Sequence, residues 1–233
     1  MSCPARGITE DQIGFLKDAA SDAKELLNRS RDIFGDRAAV LSSFGAESAL
    51  LLALVAETDP SFPVLFLNTG QHFPETIAYR QDLARSLGLT AIKDIGPSAE
   101  ALRDRDPQNQ LWAFDPDACC ALRKVEPLNL TTSGLDALIT GRKRSQAATR
   151  HRLEAVQQEP DGSLRINPLA DWTPEMIENE MTRRNLLRHP LTRLNYPSIG
   201  CAPCTAPVGE GDDPRAGRWS GLNKTECGIH RPS

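Results

Sequence analysis

Two short apolar runs, each ending in small polar residues and leading into a helical stretch, constrain the fold more than any other feature of this chain. Ala38-Ala39-Val40-Leu41-Ser42 passes into Ser43-Phe44-Gly45-Ala46-Glu47 and then into a helical run over residues 48–56. Val64-Leu65-Phe66-Leu67 passes into Asn68-Thr69-Gly70-Gln71-His72-Phe73, and Pro74 suits the first position of a helix reaching Leu87. Residues 90–95 read as a third strand, 137–140 as a fourth, and 164–166 as one more short strand. Strands this short and apolar are buried on both faces. The expected fold is therefore α/β: a mainly parallel sheet flanked by helices, with ligands bound beyond the carboxyl ends of the strands. A leading helix is expected over residues 8–34, with Ile13, Leu16, Ala20, Leu27 and Phe34 on one face. Thr173 as N-cap and Pro174 open another, running to Asn185. Residues 104–117 interrupt this rhythm as a polar insertion, followed by a helical turn over 118–125. No internal repeats are present.

With 233 residues the chain suits one sizeable domain. Its 27 basic and 31 acidic residues give a net charge of -4, so nothing pulls the whole molecule toward nucleic acid or an anionic membrane. Any anion site must be local. There is no apolar run of about eighteen residues and no apolar signal-peptide core over residues 1–14, so a soluble, cytoplasmic protein is expected. In a reducing compartment the six cysteines point to metal binding or redox catalysis rather than to disulfides.

The loop at residues 42–47 joins a strand to a helix, where backbone N–H groups can cradle a phosphate, although a plain Ser/Gly turn has the same look. The run Gly141-Arg142-Lys143-Arg144-Ser145-Gln146-Ala147-Ala148-Thr149-Arg150 follows another strand end and belongs on the same rim. Its arginine forks suit phosphate or sulfate, the alternative being a solvated charged loop.

Cys119-Cys120 and Cys201-Ala202-Pro203-Cys204 supply two pairs of thiols about 80 residues apart. Four thiolates can hold zinc or an iron-sulfur cluster; adjacent cysteines are unusual for structural zinc and favour the cluster, with a redox pair plus buried thiols as a further alternative. Lys124, about one helical turn after Cys120, can set a cation beside such a centre. Cys227 stands apart in a Gly-rich terminal segment. Lys224 and His230 favour its thiolate and Glu226 opposes it. With no second cysteine after it, any disulfide exchange there needs an external thiol. The expected division is a nucleotide-binding α/β domain with the cysteine site over residues 1–208 and a flexible tail carrying Cys227 over 209–233.

Taken together these segments resemble the assimilatory adenylyl-sulfate (APS) reductases of the phosphoadenylyl-sulfate (PAPS) reductase family. The resemblance rests on Ser42-Ser43-Phe44-Gly45-Ala46-Glu47, Asn68-Thr69-Gly70 with Phe73-Pro74-Glu75-Thr76, Cys119-Cys120 with Arg123-Lys124-Val125-Glu126-Pro127-Leu128, the basic loop, Cys201-Ala202-Pro203-Cys204, Arg215-Ala216-Gly217-Arg218-Trp219, and Lys224-Thr225-Glu226-Cys227-Gly228-Ile229-His230. It departs from the family pattern at Asn68, usually Asp, and at Ala147-Ala148, usually Ser-Pro.

The resemblance implies an adenine-nucleotide α-hydrolase-like fold and a [4Fe-4S] cluster on Cys119, Cys120, Cys201 and Cys204. It also implies a nucleophilic Cys227, and a substrate site drawn from Ser42, Ser43, Phe44, Gly45, Thr69, Gly70, Lys124, Arg142, Arg144, Arg215, Arg218 and His230. The implied reaction converts APS to sulfite and AMP through an S-sulfocysteine that thioredoxin or a glutaredoxin-like dithiol releases. A PAPS reductase, an ATP-pyrophosphatase-type adenylating enzyme and a zinc-binding module are the alternatives, and a homo-oligomer is left open.

Overall fold

The computed structural model describes residues 7–146, 150–220, 224 and 226–229. Two helices, α1 (Glu10–Lys17) and α2 (Ala23–Phe34), lead the chain. The single helix expected over residues 8–34 is thus divided. Asp22 accepts hydrogen bonds from the Lys24 and Glu25 amides and starts a new helix, whose Leu26 and Leu27 reach the core. Then follow β1 (Ala38–Ser42), α3 (Ser48–Thr58), β2 (Val64–Leu67), α4 (Pro74–Leu87) and β3 (Ile92–Ile95). The polar insertion contains α5 (Ala99–Arg105), α6 (Leu111–Phe114) and α7 (Pro116–Cys120). It runs through a π-helical turn (Ala121–Val125) into α8 (Glu126–Thr132). After β4 (Ala137–Thr140) come β5 (Val156–Gln158), β6 (Leu164–Ile166) and α9 (Pro174–Arg183).

The six strands form one sheet in the order β3-β2-β1-β4-β6-β5, parallel except for the antiparallel β5–β6 pair. Every residue of β1, β2 and β4 is buried, as their unbroken apolar character requires. Val40 pairs with both Val64 of β2 and Ile139 of β4. From β1 the chain therefore proceeds first to one side, through β2 and β3, and later to the other, through β4. This reversal makes the β1/β4 junction a topological switch point, where loops leaving adjacent strands in opposite directions open a crevice. β5 had no counterpart in the sequence reading: three residues at the sheet edge, of which only Val156 is buried, carry too little periodicity to be seen.

One core cluster lies between the sheet and α1–α4 with α9 and includes Phe44, Phe62 and Phe66; a smaller one on the other face joins Leu41, Leu65, Leu67, Leu128 and Leu138, with Ile229 packed against it. No helix is long and apolar enough to cross a membrane among the described residues.

Candidate functional site

A cleft of about 250 Å³ lies at the β1/β4 switch point. The loop after β1 contributes Ser42, Ser43, Gly45 and Glu47, and the loop after β4 contributes Gly141, Arg142, Lys143, Gln146 and Arg150. Thr69 and His72 enter from the end of β2, Lys124 from the π turn, and Pro197 to Cys201, Arg215, Arg218, Glu226 and Cys227 close it from the C-terminal segment. Residues more than 180 positions apart in sequence meet here.

The loop after β1 takes its shape from Phe44, which adopts φ +49°, the left-handed region that a bulky residue rarely occupies. Its ring meets Phe66 edge-on, with centroids 5.5 Å apart, and is closed to solvent. Its amide donates to Ser42 Oγ at 3.1 Å. Phe44 therefore anchors the loop from beneath while Ser43 and Gly45 face the cleft. Gly70, also left-handed at φ +70°, does not line the cleft; a Cβ there would meet Arg123 Nη1 at 3.4 Å.

In the basic loop the arginines divide. Arg142 Nε donates to Thr140 Oγ1 and to Asn167 Oδ1, both at 3.2 Å, which leaves its buried Nη2 without a protein partner. Burial, with the positive charges of Arg165 and Arg150, lowers the Arg142 pKa to about 10. A guanidinium held this way favours an anion. Arg144 instead leaves the cleft, donating to the Leu153 carbonyl at 2.6 Å and pairing with Asp171. Lys143, which the sequence reading passed over, is buried and pairs with Glu47 at 2.8 Å, tying the two strand-end loops together. Arg150, the last residue of the basic run, and Glu226, expected from sequence only to oppose the Cys227 thiolate, pair at 2.7 Å across the cleft. Sequence carried no signal for either pairing, because the partners meet only through the fold.

Arg218 is held by Ser198 Oγ at 3.4 Å and by the Trp219 ring, 4.5 Å from its guanidinium carbon, and its buried Nε has no partner. Burial and the neighbouring Arg215 lower its pKa. Gly200 makes room for it: a Cβ would stand 2.3 Å from Arg218 Nη2. Lys124 is buried beside thiols. Burial alone would depress its pKa, but negative charge on Cys201, Cys227 and Cys120 outweighs this and raises it. Cys227 is half-buried. His230 lies outside the described residues, as do Ala147 and Ala148.

Cys119, Cys120, Cys201 and Cys204 line one small apolar cavity beside the cleft, with Arg123 and Lys124 on its wall. Thr69 Oγ1 lies 3.3 Å from Cys201 Sγ. Burial foremost, then the mutual repulsion of the sulfurs, pushes the Cys119 thiol up to about 11 and also raises Cys120 and Cys204. Burial thus disfavours the bare thiolates of Cys119, Cys120 and Cys204, whereas coordination to a metal centre favours the thiolate form. Lining one cavity, these two pairs of thiols supply the donor types that a four-thiolate centre uses. Among the described residues no group of three His, Cys, Asp or Glu is placed to hold a single metal ion.

The architecture belongs to the adenine-nucleotide α-hydrolase-like class, with a cation-lined cleft at its switch point. Residues 37–207 match the phosphoadenosine phosphosulfate reductase domain, and the chain belongs to that family. An adenosine 5'-phosphosulfate reductase of Chelativorans sp. is 50% identical over 206 residues, which span 88% of this chain and 83% of the relative. A phosphoadenosine 5'-phosphosulfate reductase of Gloeobacter violaceus is 39% identical over 97% of each chain. Among solved structures, the phosphoadenylyl-sulfate reductase of Candida auris in its phosphate complex superposes with a TM-score of 0.71 at 25% identity, over 87% of this chain and 100% of that one. A Candida glabrata FMN adenylyltransferase shares the fold, with a TM-score of 0.57 at 17% identity over 90% of this chain and 73% of that one.

Proposed function

We propose that this protein is an adenylyl-sulfate reductase. The observation that carries the reading is the meeting of Cys227 with Lys124, Arg142 and Arg218 in one cleft at the β1/β4 switch point. A sulfonate sulfur is surrounded by anionic oxygens that repel an incoming thiolate, and fixed cations offset this most where charge accumulates in the transition state. The Cys227 thiolate attacks the sulfur of APS, its S–S bond forms as the S–O bond to AMP breaks, and AMP leaves. A dithiol such as thioredoxin then attacks the Cys227 sulfur and expels sulfite, leaving a mixed disulfide that its second thiol resolves. Both electrons come from the dithiol. Ser43, Gly45 and Thr69 face the nucleotide, and Arg142, Arg215 and Arg218 hold the phosphosulfate. The terminal segment excludes water while docked and opens to present the adduct.

Cys119, Cys120, Cys201 and Cys204 are the residues that hold a [4Fe-4S] cluster in this reading. Bound there, the cluster supplies fixed negative charge beside Lys124. Lys124 itself projects into the cleft, where it neutralises a substrate oxygen.

The test is intact-protein mass spectrometry after anaerobic incubation with APS and PAPS in parallel, followed by peptide mapping and release with reduced thioredoxin. Sulfonation of Cys227 preferentially by APS is expected. Preference for PAPS, the activity named for the Gloeobacter relative, keeps the chemistry and changes the substrate. No adduct from either, with the cluster intact, overturns the reading.

A further inference from the structure

Glu226 immediately precedes Cys227 and puts a carboxylate into a cleft otherwise rich in cations. Its Oε1 accepts from Arg150 Nη2 at 2.7 Å, and its Oε2 lies 3.6 Å from Arg215 Nη2. Arg150 comes from the loop after β4 and also donates through Nη1 to Gln146 Oε1 at 2.6 Å; Arg215 comes from the C-terminal segment. The carboxylate thus joins two chain segments one residue before the thiol. Only 12% of the Arg150 side chain and 26% of the Glu226 side chain are exposed, so solvent screens this pair less than a surface ion pair.

Among its described residues the terminal segment has two further attachments, neither of them to the loop after β4. Lys224 Nζ donates to the Pro116 carbonyl at 3.2 Å and pairs with Asp117, at the start of α7. Ile229 packs against the smaller apolar cluster. Among the described contacts of residues 224 and 226–229, Glu226 alone ties the nucleophile-bearing segment to that rim.

We propose that Glu226 is a positioning residue: by closing its carboxylate on Arg150 and Arg215 it holds Cys227 over the cleft in line for attack. This rests on the nucleophilic role proposed above for Cys227. The rival role for the same geometry is competition, in which Glu226 occupies arginines that an anionic substrate must take over. The two differ in sign. Loss of a positioning contact slows the chemical step at saturating substrate, whereas loss of a competitor tightens substrate binding and leaves the chemical step alone.

Glu226→Gln keeps the volume and removes the charge. On the cluster-loaded full chain, single-turnover formation of sulfonated Cys227 is measured against APS concentration, and alkylation of Cys227 by N-ethylmaleimide is measured without substrate. The expected result is a limiting adduct rate lower by on the order of ten- to a hundredfold with the half-saturating concentration nearly unchanged. Alkylation is expected to be faster than in the unsubstituted protein, because the thiol is no longer held in the cleft. Glu226→Asp, which keeps the charge, should recover part of both. An unchanged limiting rate, or a lower half-saturating concentration at unchanged rate, overturns the proposal. If the unsubstituted protein forms no adduct at all, the reductase reading fails, while the alkylation rates still decide whether Glu226 holds the segment in place: equal rates in the two proteins overturn that.

Discussion

Arg123 Nη2 lies 2.6 Å from Asp106 Oδ2, with both side chains almost closed to solvent. The pair crosses from the π turn to the polar insertion. Arg123 also donates to the Thr69 carbonyl at 2.8 Å and to Asn109 Oδ1 at 2.7 Å, while Asp106 accepts from the Gln110 and Leu111 amides. One guanidinium thereby fixes the paired cysteines, the insertion and the loop after β2 relative to each other. Removing one partner of a buried, hydrogen-bonded pair leaves an uncompensated charge and costs about 3–5 kcal/mol. Asp106→Ala should therefore lower the unfolding free energy by about that amount in denaturant titrations.

Gly200→Ala tests the packing behind Arg218. The added Cβ would collide with a guanidinium confined by Trp219, so the cation must shift. Adduct formation on Cys227 should fall on the order of tenfold or more, as misplacement of a charge-stabilising group predicts. Circular dichroism should remain that of the unsubstituted protein.

Cys227→Ser should abolish adduct formation while leaving the absorption of the proposed cluster intact, because Cys227 does not line the cavity of the four thiols. Retained sulfonation of the protein after this substitution would place the nucleophile elsewhere.

Lys124→Ala removes the cation that lines both the cleft and the cysteine cavity. The limiting rate of adduct formation should fall by on the order of a hundredfold, measured in single turnover with iron content held equal. Unchanged turnover would remove Lys124 from the reaction.

His189 makes stability depend on pH. Its Nδ1 accepts from the Leu191 amide at 3.2 Å and its Nε2 lies 3.0 Å from Thr76 Oγ1, so the buried ring is held neutral. Burial depresses its pKa from 6.5 to about 4. Between these values the unfolded chain binds the proton and the folded one does not, so stability falls as pH drops from 6.5 toward 4 and this contribution is exhausted below that. The melting temperature should trace that slope, and His189→Gln should flatten it.

The sequence by itself determined the parallel α/β core. The unbroken apolar runs at 38–42, 64–67 and 137–140 can be satisfied only by burial on both faces. It also made the cysteine pairs, the basic loop and Cys227 visible, because paired thiols in polar or Pro/Gly-rich segments and a dense run of cations follow no packing periodicity. Short elements escaped it: β5, α6 and the break between α1 and α2 are set by a few residues whose local preferences are weak beside their tertiary contacts.

Only the tertiary structure decided which charged side chains share the cleft. Arg142 and Arg144 are two residues apart in one basic run, yet Arg142 turns inward onto Thr140 and Asn167 while Arg144 turns outward onto Leu153 and Asp171. Likewise Lys143 finds Glu47, Arg123 finds Asp106 and Arg150 finds Glu226, partners 96, 17 and 76 positions away. The physical reason is that a charged residue's direction is set by the partner able to offset its desolvation, and the fold supplies that partner: at the β1/β4 crevice for Lys143 and Arg150, and from the polar insertion for Arg123.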